Sequence, residues 1–167
     1  SGYLDPTAVP GQQYHYWVRA AASSSASTSD WSAADTGYRK LATVTNVTAS
    51  YDLYSDRIAL AWTDVTGETR YGVWVNTAKN AAGATFVATV GAGVTNYDHA
   101  TAAAGVELFY WVRATNDTSS SLSDFQADGA LGRRLNPDLA IVTTAGITGT
   151  TPGGANGGRI TKAGPGA

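Results

Sequence analysis

Along the middle of the chain, short segments in which large apolar and polar residues alternate recur every 10 to 15 residues: 44–49, 57–63, 71–76, 85–90, 95–99, 107–115 and 123–131. A period of two sends successive side chains to opposite faces, so each segment predicts a strand with one buried side. Turn chemistry separates them, as in Val65-Thr66-Gly67, residues 80–83, Gly91-Ala92-Gly93 and Asn116-Asp117. Alternation also assigns the faces. Ile58, Leu60 and Trp62 point inward, as do Tyr71, Val73 and Val75 on the third strand and Leu108, Tyr110, Val112 and Ala114 on the sixth. Trp74, Phe109, Trp111 and Arg113 are left on the outer face.

The pattern is written twice. Residues 1–41 align without a gap onto residues 95–135 at an offset of 94, with 16 of 41 positions identical. The match centres on Tyr16-Trp17-Val18-Arg19-Ala20 against Tyr110-Trp111-Val112-Arg113-Ala114. Residues 1–41 thus read as the back half of one repeat, 42–135 as a whole repeat, and 136–167 as something else. From Thr144 onward the tail holds eight glycines and two prolines, a composition that orders only at a high entropic cost. Just before it, residues 139–143 have the makings of one strand.

Seven strands in about 94 residues is the size and spacing of an immunoglobulin-like antiparallel β-sandwich. The core tryptophan Trp62, the Tyr71-Gly72-Val73 strand, Tyr97, Gly105 and the Val112-Arg113-Ala114 strand end together resemble the fibronectin type III family, in particular the tandem type III modules of bacterial extracellular proteins. The resemblance implies one complete sandwich at 42–135 and the C-terminal half of another at 1–41. It also implies a tyrosine at the start of the sixth strand, hydrogen-bonded back to a nearby corner. The first copy has Tyr14 there; the second has Leu108.

Composition narrows the function. Only 14% of residues are charged, the net charge is −2, and there is no cysteine. A nucleic-acid partner, which needs gathered Lys and Arg, is not expected. Neither is a disulfide framework or a cysteine-based zinc site. No apolar run is long enough to cross a membrane, and no leader-like segment stands near Ser1. The two histidines, His15 and His99, lie outside any catalytic motif and read as surface residues on strands. Asp52, Asp56, Asp64 and Glu68 leave the second strand at opposite ends and read as solvated loop charge, so no metal, cofactor or enzymatic activity is expected. Asn46-Val47-Thr48 and Asn116-Asp117-Thr118 are glycosylation sequons if the source modifies asparagine.

Two surfaces remain as candidates. The outer aromatics Trp74, Trp111 and Phe109 with Arg113, repeated as Trp17 and Arg19, suit a cross-strand cluster, a self-association patch or a platform for sugar rings. The other is the inner face of the half repeat, where the last three strands of a sandwich would present Tyr14, Tyr16 and Val18 uncovered. Either the natural protein continues upstream, or a neighbouring subunit adds strands, with Leu139 and Ile141 as a strand to offer. The expectation is an extracellular or cell-surface structural or adhesive protein, a subunit or fragment of a filament of tandem sandwiches. Alternatives are a spacer or carbohydrate-binding accessory module of a secreted polysaccharide-degrading enzyme and a bacteriophage tail or fibre protein.

Overall fold

The computed structural model describes residues 2–23 and 27–137. They belong to the unit Ser1–Asn136, apart from Pro137, which opens a second unit, Pro137–Ala167. The expected strand at 139–143, with Leu139 and Ile141, lies outside the described residues.

The whole repeat forms two facing sheets. One holds β3 (Thr48–Ala49), β4 (Ile58–Ala61) and β7 (Asn96–His99) in the order β3-β4-β7. The other holds β5 (Arg70–Asn76), β6 (Thr85–Gly91), β8 (Glu107–Asn116), β9 (Ser121–Leu122) and β10 (Ala130–Arg133), ordered β10-β8-β5-β6 with β9 also on β8. All pairings between these strands are antiparallel. The inward sets meet between the sheets: Ile58, Leu60 and Trp62 from one side, Tyr71, Val73, Tyr110, Val112 and Ala114 from the other, each at most 6% exposed. Burial of such side chains, each worth about 1.5–3 kcal/mol, is what holds a cysteine-free sandwich together.

Tyr71 and His99 bring partners into this core, whereas the buried Trp62 Nε1 has none among the described residues. The Tyr71 hydroxyl donates to Asp64 Oδ1 and accepts from the Val65 backbone N–H, both at 2.7 Å, while its ring meets Trp62 edge-on at 5.5 Å. His99 is buried rather than on the surface, because β7 turns Tyr97 and His99 inward together. Its Nδ1 lies 2.8 Å from the Tyr110 hydroxyl, and burial lowers its pKa.

The seventh expected strand, 123–131, is broken. β9 ends at Leu122 and β10 starts at Ala130, and residues 123–129 bulge away from β8. One backbone bond persists, Ser123 N donating to the Ala114 carbonyl at 3.0 Å, and side chains replace the rest of the ladder. Ser123 Oγ accepts from Ala114 N (3.1 Å), and Gln126 accepts from Val112 N (3.3 Å) while donating to the Tyr110 carbonyl (3.1 Å).

Among the described residues of 1–41 there are two strands rather than three, β1 (Gln13–Tyr16) and β2 (Asp35–Tyr38), paired as a hairpin. Residues 2–5, counterparts of β7, form no strand, since β7 is held by β4 and no β4 counterpart is present among the described residues. Bond by bond the hairpin copies the whole repeat. The bridge Ala21↔Thr28 matches Thr115↔Leu122, and Ser29 and Ser32 hold Ala20 N and Val18 N as Ser123 and Gln126 hold their counterparts. Beyond the bulge the equivalence slips: Tyr14 pairs Gly37, whereas Leu108 pairs Gly132, an offset of 95. The second bulge carries one more residue than the ungapped alignment allowed. Tyr14 makes the corner bond, its hydroxyl accepting from Val9 N at 3.1 Å.

The hairpin meets the sandwich through backbone. Gly67 has φ +87°, and a β-carbon there would overlap the Pro10 carbonyl; Gly11, at φ +74°, faces the Gly67 carbonyl just as closely. Only glycine tolerates both the left-handed φ and that approach. Asn116 Nδ2 donates to the same carbonyl at 2.7 Å, and Leu41 is buried in the sandwich core.

Candidate interaction surface

The outer face of the β5–β8 pair is not the open platform that alternation alone suggests. Trp74 and Trp111 sit opposite each other in the register, but Trp111 is 1% exposed. The bulge explains this. As residues 123–129 swing off β8 they fold across the outer face, laying Gly129 on the Trp111 ring so closely that a β-carbon would fall 2.6 Å from it. Phe125 lands edge-on to Trp74 at 5.1 Å, and Phe86 of β6 flanks the other side at 5.3 Å. Arg113 stacks on Phe125 at 4.8 Å and donates to the Ser123 carbonyl at 2.7 Å. Phe109 is half-buried. Trp111 is therefore withdrawn from any ligand, and Trp74 with Phe86 is what this face still offers.

The hairpin presents the same residues bare. Arg19 stacks over Trp31 at 4.6 Å, as Arg113 does over Phe125, and His15 lies 6.3 Å from Trp17. Trp17 and Trp31 are 53% and 60% exposed. Together with His15, Tyr16 and Ser32 they line an open depression of about 620 Å³.

On the inner side of the hairpin, Val18 is 72% exposed, whereas its counterpart Val112 is fully buried. Tyr3, Leu4, Tyr16 and Val18 line a groove of about 800 Å³ that also takes in Trp17, Arg19 and Trp31, so it is not confined to the inner face. Asp5 occupies the place of His99 and Tyr16 that of Tyr110, and the pair still touches, the Tyr16 hydroxyl donating to Asp5 Oδ2 at 3.3 Å. Hydrogen bonds from Thr7 hold the Asp5 carboxyl below its usual pKa; desolvation, then Asp5, raises the Tyr16 phenol. Tyr14 is half-buried by its corner bond. Alternation marked Tyr16 and Val18; Trp31, Tyr3 and Leu4 it missed, because they lie outside regular strands, although Trp31 aligns with Phe125.

The acidic residues are dispersed. Asp52 pairs with Arg133, Asp56 with Arg57, Asp64 with Tyr71, and Glu68 accepts from Gly93 N. Among the described residues no three His, Asp or Glu side chains gather as a metal site would require. No helix among them is long and apolar enough to cross a membrane. Of the two sequons, Asn46 is exposed with its Nδ2 donating to Thr63 Oγ1 at 2.9 Å, and the Asn116 amide is engaged with Gly67.

No family model and no curated protein matches the chain. Among solved structures, a two-domain fibronectin type III segment from chicken tenascin is similar at a TM-score of 0.55 and 15% identity, over 72% of this chain and 64% of that one. An Fn3-like protein from Clostridium thermocellum is 25% identical at a TM-score of 0.46, over 56% of this chain and 90% of its own. Pectate lyase PelI from Erwinia chrysanthemi follows at 21% and 0.41, over 52% and 26%. With two facing antiparallel sheets, the paired inward sets and the tenascin likeness in place, the chain has the fibronectin type III fold, an immunoglobulin-like β-sandwich.

Proposed function

We propose that this chain is a non-catalytic structural piece of an extracellular or cell-surface protein, assembled from type III sandwiches in series, that associates with further polypeptide through its first hairpin. The observation that carries this reading is the contrast between copies: Val112 and Trp111 are at most 1% exposed, Val18 and Trp17 at least 53%. An apolar face of that kind is unstable in water without a covering layer. The backbone joint at Gly11 and Gly67 supports a role in which modules keep a fixed relation. Sedimentation velocity and negative-stain microscopy of the full chain test it. Filaments or concentration-dependent oligomers in which hydrogen exchange at residues 14–18 slows are expected; a monomer at every concentration, with those amides exchanging freely, refutes it.

A second reading is favoured by the open Trp17, Trp31 and Arg19 cluster, whose rings suit sugar stacking. There the chain is an accessory module that holds a secreted enzyme on polysaccharide. Retention on an insoluble polysaccharide, lost in Trp17→Ala with Trp31→Ala, is its signature.

A further inference from the structure

The bulge of residues 123–129 lies over the outer face as a strap, and one of its fastenings comes from outside the sandwich's own strands. Lys40 Nζ donates to both carboxylate oxygens of Asp124, at 2.7 and 2.6 Å. Beside it, Leu41 N donates at 3.3 Å to the Oγ of Ser121, a fully buried residue at the root of the strap. Lys40 and Leu41 belong to the segment that runs from β2 of the hairpin into the sandwich. At the other end Asp128 pairs with Lys79, between β5 and β6, at 2.7 Å. Between these points the strap holds β8 by one backbone bond from Ser123 N, by the Ser123 and Gln126 side chains, and by Arg113 Nε on the Ser123 carbonyl. Under it the Trp111 indole Nε1 is buried with no hydrogen-bond partner among the described residues. A buried donor without an acceptor lowers the cost of any state that returns it to water. The closed strap is thus held by few bonds and opposed by one orphaned donor.

We propose that the strap is a latch over the outer aromatic face and that the segment joining hairpin to sandwich holds it shut. While Lys40 and Leu41 are seated on Asp124 and Ser121, Gly129 and Phe125 stay down on Trp111 and Trp74. Displacing the segment frees the root of the strap, and the two indoles open together. The Leu41 side chain also lies against both Gly11 and Gly67, so the state of the joint is transmitted to the outer face of the sheet. Coupling of this kind is reciprocal: lifting the strap loosens the segment. The inference goes beyond association of the hairpin and does not require it.

Residue-resolved hydrogen exchange on the full chain tests the latch from both ends. Lys40→Glu sets like charges together at an exposed pair. The Val112 and Ala114 amides, which use Gln126 and Ser123 as acceptors, are expected to exchange roughly two- to fivefold faster, the range of an exposed ion pair, with the β5 amides unchanged. Lys40→Asp combined with Asp124→Lys rebuilds the pair and should return both amides to the parent rate. Gly129→Ala sets a β-carbon 2.6 Å from the Trp111 ring, lifts the strap, and should speed exchange at the Leu41 amide by a similar factor. Val112 and Ala114 unmoved in Lys40→Glu, or acceleration spread evenly over β5 and β8, overturns the proposal. So does a charge swap that fails to restore them, or a Gly129→Ala chain in which they accelerate while Leu41 keeps its rate. A chain that stays monomeric yet shows the linked exchange refutes the proposed association and keeps the latch.

Discussion

Gln126→Ala tests whether a side chain stands in for a strand. In the bulge, the Gln126 amide accepts from Val112 N at 3.3 Å and donates to the Tyr110 carbonyl at 3.1 Å, and both residues belong to a strand whose side chains are buried. Truncation leaves one donor and one acceptor without a protein partner. An unsatisfied buried polar group costs about 1–3 kcal/mol, and the outer flank of the bulge admits some water, so a total of ~2–4 kcal/mol is expected. For a domain of this size that is a fall of roughly 10–25 °C in Tm. Urea unfolding followed by tryptophan fluorescence, with Trp111 beneath the bulge as reporter, measures it through the shift in midpoint at constant slope. Gln126→Glu sharpens the test. The carboxylate still accepts from Val112 N but sets an oxygen against the Tyr110 carbonyl, so it is destabilising at pH 7. Protonation restores a donor, and the variant should recover toward the parent as pH falls through the raised folded pKa of the new group. A Gln126→Ala variant within about 0.5 kcal/mol of the parent, the range of an ordinary surface change, would refute the account of the bulge as side-chain-bridged.

Trp111→Ala should cost about 3–5 kcal/mol as a core cavity, whereas Trp17→Ala, at a half-exposed site, should leave the sandwich within ~0.5 kcal/mol of the parent; paired urea melts decide. Tyr71→Phe removes the hydroxyl that Val65 N–H uses and should lower stability by about 1–3 kcal/mol by the same assay. Burial holds the folded pKa of His99 below its usual 6.5, so the unfolded chain takes up the proton first. The stabilisation is full above about pH 6.5 and is lost as pH falls through the folded pKa. His99→Gln should flatten the stability profile just below pH 6.5, a window above the carboxylates Asp52 and Asp124, whose hydrogen bonds to Arg133 and Lys40 hold their pKa values low. Gly67→Ala should separate the hairpin from the sandwich, seen as accelerated hydrogen exchange at Leu41 with β5 unchanged.

The fold was legible because it rests on alternation. Ile58, Leu60, Trp62, Tyr71, Val73, Tyr110 and Val112 all take the face that period two assigns. What alternation could not convey was where the ladder stops. The hydrophobic pattern runs through residues 123–131 as if through one strand, yet Ser123 and Gln126 can bond β8 from a displaced backbone, and that choice buries Trp111 and turns a supposed platform into packing. His99 escaped because its inward slot was counted as surface, although Tyr97 two residues earlier fixes the direction. The repeat offset carried the most information. It aligns Trp31 with Phe125, but the stacking of each on its arginine became visible only in the structure, and it failed by one residue where the second bulge is longer.

The contact between Pro10, Gly11 and Gly67 bears on how a series of such modules would respond to load. Joints padded by side chains have give: rotamers change, methyl groups slide, and neighbouring bodies roll through many degrees at little cost. A carbonyl pressed against an α-carbon has no such reserve, and Leu41 anchors the connecting strand in the same place. In the proposed tandem assembly, bending or twisting would be passed along the series instead of being absorbed between bodies, and a string built with this joint would behave as a rod whose persistence is set by two glycines.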